Sequence, residues 1–590
     1  MLRRCMVGAL LPLLLIFTLL RAPTVAAEDA LQHVPQDALG FAVINELKQT
    51  SDKLEGLFKN LQIPLPSPLA FFRASTGAQN GLDEQGQALV VLMPGREGQE
   101  AQPVPVVFVP VTDYDQFIAQ FEGNRSGEVA EVQVAGEQVL VAKKGDFAVV
   151  SNPDNRETLQ RLRTSEANAP EEVETLREWL TRQDAAGVLL PQGIDRLVEQ
   201  ALSGLREVKE TLSAQGDDVP QELQQAFASF DAMIAALEGI NAEVAAGGVA
   251  LRLDEAGNTH LASRVLAREG GKFAEIAAGA PEASNENFLA ALPGGAYVFA
   301  GGGAWSPEIS EAMMNLSVGF MKANLPMYGL ENATEEDFQR LMESSKAAME
   351  GATSMAIMLQ PGEEDEALYS NFIGVIKVGN ASEFLDQYEE SMKVWGELAD
   401  ESTSPLAMKM EMQRVDIQGK QALMFTMDMS GMFQAQEIPQ GTELLDKMFG
   451  PGGKLTATLV PADDSTVLFA YVGQDRMAEM LTEYDGGEKL GVNAGISTTR
   501  ELLIDGAHVR GYLSPGGMVS LAQRAMKMFA PEGQAQELPA FPETPPVGFA
   551  FKLVSDGLET DMVLPAQLIQ KAREYGNQFQ PQQEPPQLEQ

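Results

Sequence analysis

The chain has 590 residues, 44% of them hydrophobic, and 84 acidic side chains against 42 basic ones, for a formal charge of −42 at pH 7. That length exceeds what one hydrophobic core serves, so two or more domains are expected, and the apolar fraction excludes wholesale disorder. The acidic excess excludes nucleic acid and anionic membrane surfaces as partners, because their phosphates would be repelled.

Arg3 and Arg4 followed by the apolar run Leu10 to Leu20 and the small residues of Pro23-Thr-Val25-Ala-Ala27 read as a signal peptide over 1–27, cleaved after Ala27. The run is shorter than the roughly 20 residues a membrane-spanning helix needs, so the mature chain is expected to have no transmembrane segment. Cys5 lies inside the signal, which leaves the mature chain without cysteine and excludes disulfides, thiol catalysis and thiolate metal sites. Export without disulfides fits a periplasmic or extracellular protein of a bacterial envelope. Loss of Arg3, Arg4 and Arg21 takes the charge to 39 − 84 = −45.

Short patterns of the first half return in order in the second. Val34-Pro35 with Phe41 recurs as Leu292-Pro293 with Phe299, and Ala88-Leu-Val-Val-Leu-Met-Pro94 as Met355-Ala-Ile-Met-Leu-Gln-Pro361. Val106 to Val111 with Phe117 recurs as Ile373 to Val378 with Phe384. The hairpin around Gly136 resembles that around Gly419, Gly187 to Pro191 matches Gly511 to Pro515, and Gly248 to Leu253 matches Gly548 to Leu553. The separations are 258 (293 − 35), 267 (384 − 117), 283 (419 − 136), 324 (515 − 191) and 300 (548 − 248). Collinear matches whose spacing changes only between elements are how two copies with loop insertions behave. Two homologous domains are expected, over 30–280 and 288–576, with a disordered Gln/Pro-rich tail over 577–590.

Each copy predicts an extended segment (39–44; 297–300) and an amphipathic helix (49–61; 306–323), then two apolar strands (88–93 and 106–111 in the first copy). A helix capped by Asp113 or Asn380, a glycine hairpin, another strand and the helices at Arg156 and Arg476 follow. This order predicts an α+β fold, an antiparallel sheet with helices on one face. The first copy carries an insertion, a helical hairpin over about 194–239 with an expected apolar stripe through Leu197, Leu202, Leu205 and Leu212.

Chemistry-bearing motifs are few. Asp254-Glu-Ala-Gly257-Asn and Asp463-Asp-Ser read as turns, not calcium loops. His33, His260 and His508 have no counterparts between the copies, and no nucleophile elbow, zinc-binding helix or phosphate loop is present. Of 27 methionines, 23 lie beyond residue 300, with Met408, Met410 and Met412 near Met424, Met427 and Met429. Thioethers bind soft Cu(I), which makes those six the only candidate metal ligands. The competing reading is packing: alternate residues of a strand share a face, and methionine fills irregular cores.

The opening Val34-Pro-Gln-Asp-Ala-Leu-Gly-Phe-Ala-Val-Ile-Asn45, echoed by Leu292-Pro-Gly-Gly-Ala-Tyr-Val-Phe-Ala300, resembles a family of exported planctomycete-type bacterial proteins of unknown function. The resemblance implies a duplicated layout behind a signal peptide, and no catalytic residues or cofactor. The expectation is an exported, non-enzymatic binding or structural protein of the cell envelope, with ligand and protein partner undetermined. The alternatives are a periplasmic Cu(I) protein using the methionines, and a hydrolase built around one histidine.

Overall fold

The computed structural model describes residues 29–579 apart from 96–101, 167, 214–220, 281–285, 305–333, 364–365, 401–408, 429–440 and 530–536. The expected signal peptide, the helix expected over 306–323, Met408, Met429 and most of the expected tail lie outside the described residues. The protein packs as two compact units. The first holds the described chain up to Ala201, Gly239–Ala274 and Asp556–Arg573; the second holds Leu202–Glu238, Glu275–Ser555 and the chain from Glu574. Neither unit is a single stretch of sequence.

The first unit contains β1 (Gly40–Ile44), β2 (Ala88–Met93), β3 (Val104–Pro110), β4 (Glu122–Asn124), β5 (Val129–Val134), β6 (Glu137–Lys144), β7 (Phe147–Ser151), β8 (Ala185–Leu189), β9 (Val244–Leu253) and β10 (Thr259–Ala267). A strand from the far end of the chain, β20 (Gly557–Leu564), joins them. The sheet is antiparallel throughout, in the order β4-β5-β6-β7-β3-β2-β1-β8-β9-β10-β20. Its helices are α1 (Leu47–Asn60), α2 (Pro68–Thr76), α3 (Tyr114–Ala119), α4 (Arg156–Thr164) and α5 (Glu171–Thr181), and it holds the start of α8 (Lys272–Ala278), up to Ala274. Of the hairpin helices, α6 (Pro191–Ser213) belongs to the first unit up to Ala201, and α7 (Gln221–Glu243) to the second up to Glu238.

Helices cover both faces of this sheet, which corrects the expectation of one covered face. Leu159 and Leu162 of α4 and Val173, Leu176 and Leu180 of α5 share a core with Phe41, Leu89, Val91 and Phe108. Leu47, Leu69, Phe72, Phe117 and Ile118 share a second core with Val90, Val107 and Val109, side chains of the opposite face. The run Ala88 to Met93 is apolar without alternation, as a strand buried on both faces must be. The face of β9 and β10 that carries Val249, which is 69% exposed, and Leu261 stays open. In the insertion, Ile194, Val198 and Leu202 are buried, spaced four apart; of the expected stripe, Leu202 is buried and Leu205 half-buried, whereas Leu197 is 55% exposed.

The second unit contains β11 (Phe299–Ala304), β12 (Ala352–Leu359), β13 (Phe372–Val378), β14 (Lys409–Ile417), β15 (Lys420–Asp428), β16 (Lys454–Asp463), β17 (Thr466–Ala470), β18 (Val509–Leu513) and β19 (Val547–Val554). The order is β14-β15-β16-β17-β13-β12-β11-β18-β19, again antiparallel. Its helices are α9 (Glu335–Met349), α10 (Ala381–Asp400), α11 (Gly441–Phe449), α12 (Gln474–Gly486), α13 (Ala494–Leu502) and α14 (Pro515–Phe529); α15 (Ala566–Asn577) follows β20 and lies in the first unit up to Arg573.

Two caps agree with expectation. Asp113 accepts from the Gln116 amide at the start of α3, and Asn380 accepts from the Ser382 and Glu383 amides at the start of α10. The two glycine hairpins are correct as turns, with Ala135-Gly136 and Gln418-Gly419 both at positive φ. Their matching needs correction. The Gly136 turn ends in β6, the neighbour of β7, whereas the Gly419 turn ends in β15, which β16 separates from β17.

Candidate functional site

In the first unit, α2 packs on the sheet through Leu69 and Phe72, and Phe72 is fully buried while Phe71 is 40% exposed. A cavity of about 200 Å³ lies beneath it. Its walls are Phe71, Phe72, Ser75 and Thr76 of α2, Phe117 and Phe121 at α3, Val134, Ala135, Glu137, Val139 and Val141 of the β5–β6 hairpin, Val109 of β3 and Val150 of β7. The walls offer a ligand almost nothing polar. The Ser75 hydroxyl donates to the Phe71 and Phe72 carbonyls at 2.8 and 3.1 Å, and Thr76 donates to Phe72 at 2.9 Å. Glu137 is the one charged wall residue and sits exposed at the hairpin rim. Phe117 and Phe121 meet edge to face at 5.4 Å and stiffen one side. Such a space suits an apolar ligand: an apolar cavity of about 150 Å³ stays dry and accepts benzene.

A larger hollow of about 610 Å³ lies between α1 and the β9–β10 turn. Its lysines are already committed, Lys48 to Asp52 at 2.8 Å and Lys53 to Asp184 at 2.6 Å. Nothing in it converges on a ligand.

None of the three histidines lines either hollow, and each has partners of its own. His33 lies in the core, stacked on Phe108 at 5.8 Å and edge-on to Phe147 at 5.2 Å. The His508 Nδ1 accepts from the Leu553 amide at 3.1 Å. His260 pairs through Nδ1 with Asp561 at 3.2 Å, and Arg252 reaches the same nitrogen at 2.9 Å. The Ser263 and Thr560 hydroxyls bond each other at 2.7 Å on the opposite face of these strands, so the histidine–carboxylate pair gains no nucleophile from them.

The described methionines divide between two faces. Met410 and Met427 are direct cross-strand partners, and with Met412 they pack against the core that holds Leu423, Phe425 and Phe384. Met424 alternates to the other face. Asp254 accepts from the Asn258 amide and Asp463 from the Ser465 amide, as turn residues do. The cavity itself gave no motif in the sequence. Its only trace is a contrast between matched strands, Val150 in the first half against Phe469 in the second.

Glu84, on the loop after α2, is 3% exposed and reaches Arg73 of that helix at 3.4 Å. Burial pushes its carboxyl up to about 7; Arg73 and Lys48 oppose this, and Asp52 and Asp83 add to it. A folded value above the ordinary one means that the native state holds a proton the unfolded chain has released. The stabilisation is therefore complete below about pH 4.5 and lost as pH rises through about 7. Glu84→Gln is expected to flatten this fall and to stabilise the protein above pH 7 by on the order of 1 kcal/mol. Urea midpoints at pH 5 and pH 8 check this; equal pH dependence in both proteins would refute it.

No family model, curated protein or solved structure matches this chain.

Proposed function

We propose that the protein is an exported, non-enzymatic binding protein of a bacterial envelope, built from two copies of one α+β domain, and that its first unit holds a small apolar molecule. The cavity under α2 carries the reading: its space is enclosed by valine and phenylalanine, and its hydroxyls are already bonded within the helix. Burial of an apolar molecule there draws on the hydrophobic effect alone, which gives affinity with modest discrimination.

The strand ladders support the duplication independently of the motifs. Gly40 pairs with Leu92 and Leu189, and Phe299 pairs with Leu359 and Leu513, so the partners stand 267 (359 − 92) and 324 (513 − 189) apart. Val90 pairs with Val107 and Ile357 with Gly374, which repeats 267 at both members. Val188 pairs with Gly248 and Tyr512 with Gly548, for separations of 324 and 300. The same three values arise from the sequence patterns. Only β1 and β11 differ, at 259 (299 − 40), one residue more than the opening motif gives.

The expected result is saturable binding of fluorobenzene, followed by 19F NMR on the full chain. A ligand held only by the folded state should also raise stability, by about 2.7 kcal/mol at 100 times Kd. Linear, unsaturable uptake with an unchanged thermal midpoint would refute the reading.

A further inference from the structure

We infer that the two units have diverged in occupancy: the first keeps the apolar cavity open, and the second fills the same place with its own side chains, so that one chain takes one ligand. The inference rests on the binding reading above and adds its stoichiometry and the residues that set it.

The ladders identify the positions. Val150 lies opposite Val107 and Val141, and Phe469 lies opposite Gly374 and Leu459. Val107 and Gly374 are themselves matched through Val90 and Ile357. A phenylalanine thus stands where the open cavity has a valine. Val134 lies opposite Glu137 at the end of β5, and Met427 lies opposite Leu455 at the end of β15, so a methionine replaces a second wall valine. Val132, beside that wall, becomes Phe425 by the same step.

The helical wall changes less. Phe117 and Phe121 become Phe384 and Tyr388, again 267 apart, and again in ring contact, at 5.9 Å. Met410 and Met412 on β14 add two more flexible side chains to the same core, which also takes in Met427, Tyr388 and Phe469. Three of the second half's methionines thus gain a physical role. Long thioether side chains adapt to an irregular space that the first unit leaves empty. Met410, Met412 and Met427 act as filling rather than as metal ligands.

The test is the binding stoichiometry of fluorobenzene to the full chain and to two variants. The wild type is expected to take one equivalent. Val150→Phe should lower affinity by about tenfold or more, as added bulk in an apolar pocket does. Phe469→Val with Met427→Val should create a second equivalent while the first is kept. Two equivalents on the wild type, or Val150→Phe binding as well as the wild type, would overturn the inference and leave the binding reading standing. No binding to the wild type would sink the reading itself. A double variant that melts like the wild type and gains no site also overturns the assignment. Should it fail to fold, Phe469→Leu replaces it, and retention of a single equivalent by that variant counts against the inference in the same way.

Discussion

Replacing Asp561 by Ala is expected to destabilise the first unit by about 3 kcal/mol, the lower end of the range for removing one partner of a buried ion pair. Asp561 is 2% exposed and faces His260 Nδ1 at 3.2 and 3.3 Å and Arg252 at 3.8 Å. The imidazole nitrogen stands between a guanidinium donor and a carboxylate acceptor and can carry only one role at a time. Either Arg252 donates to it, or it donates to Asp561; the carboxylate is the counter-charge in both cases. Without the carboxylate, a cation and a histidine are left together against a covered sheet face. Arg252 keeps 36% side-chain exposure and can turn partly to water, which sets the cost at the lower end. Asp561→Asn preserves the shape and removes the charge, so its cost relative to Ala separates hydrogen bonding from electrostatics. Urea denaturation at pH 7 reads both, and an Ala variant within 1 kcal/mol of the wild type would mean that the network is not holding β20 in place.

The second large effect is expected at two glycines. Gly193 is the third residue of α6, and a Cβ there would stand 1.8 Å from the Leu39 carbonyl oxygen; Gly517, third in α14, would stand 1.9 Å from that of Tyr297. Both obstacles are backbone atoms at the entry to the first strand of a unit, and neither can swing aside. Helix propensity alone favours alanine by about 1 kcal/mol. Overpacking costs about 1–3 kcal/mol, and more where backbone must move. The steric term wins, and Gly193→Ala and Gly517→Ala should each destabilise. Since the effect is the sign of a difference, thermal midpoints suffice: a gain in stability for either variant would show that the helix can draw back from the strand.

The two glycines stand 324 residues apart (517 − 193), the separation given by Gly187 to Pro191 and Gly511 to Pro515. Such spacings were legible because apolar runs and prolines mark element ends whatever the loops between them do. The caps at Asp113 and Asn380 were legible for a local reason, as each carboxyl or amide serves the helix beside it. The hairpin glycines misled for the same reason. A two-residue turn with positive φ is a local solution, and it carries no information about which strands of a sheet it joins. The second covered face was foreshadowed by the unbroken apolar run of β2. Nothing local could reveal the His260–Asp561 pair, whose members lie 301 residues apart, or a cavity, which is defined by volume that side chains leave unfilled.

The placement of β20 bears on the order of events during synthesis. β10 ends at Ala267 and its partner begins at Gly557, 290 residues later (557 − 267). At about 5–20 residues per second, a ribosome needs roughly 15–60 s to supply it. For that interval the nascent first unit carries an open strand edge, with Arg252 and His260 lacking the Asp561 carboxylate as partner. Vectorial folding from the amino end therefore cannot complete the first unit before Gly557 has been made. Premature termination anywhere before Gly557 therefore damages the beginning of the protein as surely as the end.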